Sequence, residues 1–92
     1  MTYSVSQNYP NPFNPETSIR YEIPEDNFVT ISVYNVMGQK VTDLVHEIRP
    51  AGYHHTTWNS TNMHGEPVAS GLYIYTITAG DYRAVKKMIS LK

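Results

Sequence analysis

Apolar positions recur along the chain with the period of β-strands. Ile19, Tyr21 and Ile23 alternate with Arg20 and Glu22, and Val29, Ile31 and Val33 alternate with Thr30 and Ser32, so each trio lines one face of a half-buried strand. The turn formers Pro24-Glu25-Asp26-Asn27 between them predict a hairpin that joins the two. Tyr34-Asn35-Val36-Met37-Gly38-Gln39 supplies a second reversal, into a strand from Lys40 to Glu47. Val41 and Leu44 are three residues apart and cannot share a face of an unbroken strand, which predicts a bulge. Arg49-Pro50-Ala51-Gly52 breaks the chain again. Tyr53 to Asn59 then reads as a strand with His54, Thr56 and Trp58 on one face and Tyr53, His55 and Thr57 on the other. Trp58, the only tryptophan, is the expected centre of the core.

The stretch from Ser60 to Ser70 is rich in Asn, Gly, Pro and Ser and reads as a long connection. Gly71 opens Leu72-Tyr73-Ile74-Tyr75-Thr76-Ile77-Thr78-Ala79, apolar on both faces over its first half, as a central strand is. Gly80-Asp81 turns the chain into a last strand, Tyr82 to Leu91. The pattern leaves open which side of that strand is buried, Ala84-Lys86-Met88-Ser90 or Val85-Lys87-Ile89-Leu91. With a weaker strand at Tyr3 to Gln7, the count is seven short strands with frequent turns and no helical spacing. The expected fold is all-β, a seven-stranded antiparallel immunoglobulin-like β-sandwich over residues 1–92 as a single domain. Residues 8–15, Asn8-Tyr9-Pro10-Asn11-Pro12-Phe13-Asn14-Pro15, hold three prolines and three asparagines. Proline removes a backbone donor and restricts its predecessor, so this stretch is expected to be an irregular crossover, pinned to the sandwich by Tyr9 and Phe13.

Composition narrows the function classes. A 92-residue chain that is 40% hydrophobic spends nearly all its large apolar residues on a core and has little left to line a deep catalytic pocket. Without cysteine there is no disulfide, thiolate metal site or thiol nucleophile. A net charge of -1 gives no footprint for a nucleic acid, although Arg83, Lys86, Lys87 and Lys92 gather at one end with only Asp81 against them. No stretch is long and apolar enough for a membrane span. Met1 to Ser4 lacks the character of a signal peptide, so an export signal, if there is one, is expected on a longer parent chain.

Candidate chemistry is sparse. His54 and His55 are adjacent on a strand and point to opposite faces, which argues against a shared metal ion. Asp43 and Glu47 are expected on one strand face, about 13 Å apart at the rise of a strand, wider than a catalytic carboxylate pair. Asp26 and Asn27 are the best remaining oxygen ligands for calcium, at a spacing unlike an EF-hand loop. Asn59-Ser60-Thr61 fits the N-glycosylation pattern. Tyr53, Trp58, Tyr73, Tyr75 and Tyr82 could form a sugar-stacking platform, but a small sandwich fills its core with the same rings. The residues offer no assembled nucleophile, base and orienting group, and no cofactor is expected.

Larger motifs carry a resemblance. Gln7-Asn8-Tyr9-Pro10-Asn11-Pro12-Phe13-Asn14-Pro15, followed by Thr17, Ile19, Tyr21 and Ile23-Pro24, resembles the opening of the C-terminal sorting domains of type IX secretion. In family order come Val33-Tyr34-Asn35, Gly38-Gln39 and Val41, then Ala51-Gly52, His54 and Trp58. Gly65, Ala69-Ser70-Gly71-Leu72-Tyr73, and Lys87-Met88 with Lys92 complete the match, which covers residues 6–92. The resemblance implies a non-catalytic module at the C-terminus of a larger exported protein, often a hydrolase or adhesin, of Bacteroidetes and related bacteria. It implies recognition by the outer-membrane translocon after passage through the periplasm, delivery of the upstream passenger to the cell surface or medium, and in many members removal by a sorting peptidase. Carried over by position, Lys86, Lys87, Met88 and Lys92 fall in the part tied to recognition. Tyr9, Pro10, Pro12, Phe13, Pro15, Gly38, Gly52, Trp58, Gly71 and Tyr73 fall in its structural part. The alternatives are a carbohydrate-binding or structural accessory module of a secreted glycoside hydrolase.

Overall fold

Each alternating trio needs an apolar surface to face, and the chain meets this need by placing strands in two layers. The computed structural model describes residues 2–91. Its strands are β1 (Ser4–Val5), β2 (Thr17–Ile23), β3 (Asn27–Asn35), β4 (Lys40–Arg49), β5 (Gly52–Trp58), β6 (Gly71–Ala79) and β7 (Tyr82–Ser90). A three-stranded sheet runs β1-β2-β5 and a four-stranded sheet β4-β3-β6-β7, with every strand pair antiparallel. This is an immunoglobulin-like sandwich in which β4 pairs with β3 instead of joining β5, as the fourth strand of a constant domain does.

The expected hairpin between β2 and β3 does not form. Pro24 to Asp26 carries the chain from one sheet to the other, so the two trios face each other across the core instead of lying side by side. Ile19, Ile23, Val29, Ile31 and Val33 are all fully buried in that position. Period-two alternation is the same in both arrangements, which is why the sequence suggested the simpler one.

The expected bulge is present. Ile31 lies opposite Val45 but the next residue, Ser32, lies opposite Asp43, which leaves Leu44 as the extra residue; a second shift leaves Val41 extra. Val41 and Val45 are buried in the core, and the extra residue Leu44 packs partly against it. The insertions also separate the carboxylates expected on one face. Asp43 is paired with Ser32, which alternates with the core residues Ile31 and Val33 and is itself buried, whereas Glu47 lies opposite the core residue Val29.

The Asn/Pro run closes one end of the sandwich, but not through both expected rings. Phe13 is buried and meets Trp58 edge-on at 5.8 Å, and Trp58 meets Tyr73 in the same manner at 5.1 Å. Trp58 therefore belongs to the core, at the last position of β5 beside this closure. Tyr9 is 80% exposed, and only its backbone holds, exchanging two 2.9 Å hydrogen bonds with Ser18. The buried anchor is its neighbour Asn8, whose Nδ2 donates to the Thr17 hydroxyl and the Pro10 carbonyl. A buried amide keeps its place only when its donors are used, and here they are.

Two turns share one geometry. In Asn35 to Gln39 and again in Asn62 to Glu66, the Asn Oδ1 accepts the N–H groups two and four residues on, and the Asn Nδ2 donates to the final side chain. Gly38 and Gly65 take the left-handed conformation this turn requires, at φ 81° and 78°. The second turn docks on the first hairpin through the Met63 N–H and the Val41 carbonyl, covering part of the β4 edge.

Candidate functional site

The positive charge gathered near the end of the sequence lies on β7, the outermost strand of the four-stranded sheet. Along β7 the burial alternates: Met88 and Ser90 point between the sheets, Ala84 and Lys86 are half-buried on that same side, and Arg83, Val85, Lys87 and Ile89 face solvent. The register Tyr75 to Lys86 and Tyr73 to Met88 fixes this division, because Tyr73 and Tyr75 are core residues. Met88 is therefore a core side chain, fully buried, and its neighbours Lys87 and Ile89 are the exposed residues on that part of the strand. Lys92 lies outside the described residues.

An edge strand presents every second residue's N–H and C=O outward. On β7 those residues are the odd-numbered ones. At the C-terminal half the Asn/Pro run uses these groups: the Ile89 carbonyl accepts the Phe13 N–H at 3.0 Å, and the Leu91 N–H donates to the Phe13 carbonyl at 2.8 Å. The Ile89 N–H donates to Asn11 Oδ1 at 2.9 Å, and the Lys87 carbonyl accepts Gln7 Nε2 at 2.6 Å. Among the described residues no strand or side chain takes the outward groups of Arg83 and Val85. The edge is thus half shielded and half open.

The open half is cationic. Among the described residues the ion pairs are Lys40 with Asp43 and Arg49 with Glu47, so Arg83, Lys86 and Lys87 have no carboxylate at ion-pair distance. Charged edges are the usual defence against unwanted strand pairing, and they also select what is allowed to pair.

Other candidates from the sequence resolve into structural roles. His54 stacks on Tyr21 with ring centroids 5.3 Å apart and its Nε2 lies 2.7 Å from the Pro50 carbonyl, while His55 faces the other way. Asp26 Oδ1 accepts the Ala51 N–H, and Asn27 Oδ1 accepts the Phe28 N–H, so both side chains are engaged in hydrogen bonds to the backbone. Burial pushes the Asp43 carboxyl up, but the Ser32 hydroxyl and Lys40 outweigh it and hold the group below its ordinary value. No group of three or more metal-ligating side chains occurs among the described residues. The five aromatic rings go mainly to packing and do not assemble a platform. Trp58, Tyr73 and Tyr75 are buried, Tyr82 is half-buried under Tyr3 at 5.2 Å, and Tyr53 alone of the five stands exposed.

Sequence reasoning missed the guards of the β7 edge. Gln7 and Asn11 sit in the quoted motif, but a bond between residues 78 or 80 positions apart leaves no local pattern. The repeated spacing of Asn35 with Gly38 and Asn62 with Gly65 was the one visible signal of the paired turns.

Two solved structures from Porphyromonas gingivalis share this fold. The latent, dimeric PorU of Porphyromonas gingivalis superposes with a TM-score of 0.77 at 19% identity over 99% of this chain. PorZ, described as an essential surface component of the type IX secretion system of the same organism, superposes with a TM-score of 0.65 at 16% identity over 98% of this chain. The chain spans only 10% and 11% of those two proteins. A search of curated protein sequences finds no match. No helix among the described residues is long and apolar enough to cross a membrane. The model of the secretion system C-terminal sorting domain matches residues 7–91, from the Asn/Pro run to the end of β7, and the chain belongs to that family.

Proposed function

We propose that the domain is the type IX sorting signal of a larger exported protein, read by the outer-membrane translocon through the exposed side of β7. The family match carries this reading. The likeness to PorU and PorZ, both from an organism that runs such a system, supports it. In this reading the upstream passenger travels through the periplasm to the cell surface or medium, and a sorting peptidase is the partner that removes the domain where removal occurs. Lys87 and Lys86 present the charge that is read, with Lys92 beyond them, and Met88 holds the strand from beneath. The domain does no chemistry itself.

The test is a fusion of residues 2–92 to a periplasmic reporter in a type IX-competent host. Export of the reporter supports the proposal, and retention in the periplasm contradicts it. Truncation at Met88 is a poor second test, because it removes a buried core side chain together with the strand the Asn/Pro run holds. The charge reversal Lys87→Glu is cleaner. It alters an exposed side chain, and export is expected to fall while the unfolding free energy stays within about 0.5 kcal/mol of wild type.

A further inference from the structure

Resting on that reading, we infer that the open half of the β7 edge, Arg83 to Lys87, receives an extended acidic segment of the secretion machinery as an added strand. Three observations lead to this. The outward backbone groups from the Lys87 carbonyl to Leu91 are already bonded by Gln7, Asn11 and Phe13, whereas those of Arg83 and Val85 have no partner among the described residues. A strand laid along the edge therefore has a defined place to start and a defined place to stop. Second, the solvent face beside that opening reads Arg83, Val85, Lys87, with Val85 66% exposed between two cations. Third, no carboxylate among the described residues lies at ion-pair distance from either cation.

The register of β-augmentation turns these facts into a recognition pattern. Side chains directly opposite in paired strands are close neighbours, and alternate residues share a face. The segment that fits places an acidic residue opposite Arg83, an apolar residue opposite Val85 and an acidic residue opposite Lys87. That is acidic, any, apolar, any, acidic, and the pattern is the same in either strand direction. Lys86, half-buried at the rim, favours a further carboxylate at one intervening position. A second copy of this chain does not fit. Antiparallel β7-to-β7 pairing about Val85 sets Arg83 against Lys87 twice, with like charges opposed.

The experiment titrates the isotopically labelled 92-residue chain with the blocked heptapeptide Thr-Glu-Thr-Val-Thr-Glu-Thr at millimolar concentration and follows backbone amides by NMR. The inference expects the shifts and the slowed hydrogen exchange to concentrate at Arg83, Val85 and Lys87. They should vanish when both Glu residues of the peptide are replaced by Lys, and in the chain variant carrying R83E and K87E, whose altered side chains are exposed. No shift at the three amides, equal shifts with the Lys peptide, or shifts centred elsewhere would overturn it. A second arm uses the reporter fusion with Val85→Pro, which deletes an outward N–H while the β6 ladder is carried by the even-numbered residues. The inference expects at least a ten-fold loss of export with the fold retained by circular dichroism. If V85P unfolds the domain, the R83E and K87E variant decides in its place. Wild-type export from folded V85P sinks the added strand and leaves the reading of the Lys87 charge standing; wild-type export from the folded R83E and K87E variant sinks both, and retention of the unmodified fusion sinks the sorting signal itself.

Discussion

Asn8 and Tyr9 are neighbours with opposite fates, and the contrast shows what the Asn/Pro run contributes residue by residue. Asn8 is buried with its amide donors used, so Asn8→Ala is expected to cost about 1–3 kcal/mol in urea unfolding. Tyr9→Ala removes an exposed ring and is expected to change stability by less than about 0.5 kcal/mol. Tyr75 offers a pH test. Burial pushes its hydroxyl up to about 12, partly offset by a backbone contact at Asn8. An unfolded tyrosine ionises near pH 10, so between about pH 10 and 12 the unfolded state loses a proton that the folded state keeps, and stability falls as pH rises. Spectrophotometric titration should show Tyr75 ionising late, with Tyr73, which burial also pushes up, delayed as well, and the unfolding midpoint should drop across that window. Gly80 is constrained by contact as well as by its φ of 59°: a Cβ there would come within 2.6 Å of Asn27 Nδ2. Gly80→Ala is expected to destabilise by about 1–2 kcal/mol or more in the same urea assay.

At the level of elements, strand positions were legible because period two depends only on which side of a strand is buried. Strand pairing was not. Ile19-Tyr21-Ile23 and Val29-Ile31-Val33 present the same pattern whether they lie in one sheet or face each other across two, and only the crossing at Pro24 to Asp26 decides. The bulge at Leu44 was legible as a phase slip between Val41 and Leu44, yet its consequence for Asp43 and Glu47 was overlooked, because one inserted residue reverses every side chain beyond it. On β7 the positive charge was legible but the half-shielded edge was not, since its guards come from the other end of the chain. Met88 and Lys87 lie on opposite sides of the strand, so their predicted effects are separable. Met88→Ala is expected to cost about 2–5 kcal/mol, whereas Lys87→Glu leaves stability near wild type and lowers export. Measuring unfolding and export on both variants checks that separation.

For the whole molecule, the near-neutral charge conceals an uneven surface. A core of buried residues from both sheets fills the space between them, and in the proposed reading what the domain offers a partner is the outside of its last strand. Such an arrangement suits a module recognised by other proteins, and the family match gives that recognition its purpose. The most direct measurement is the export of a periplasmic reporter carrying residues 2–92 in a type IX-competent host, set beside the same fusion carrying Lys87→Glu. The account predicts a reporter at the cell surface or in the medium for the first and a reporter held in the periplasm for the second. A wild-type fusion that stays in the periplasm would contradict it.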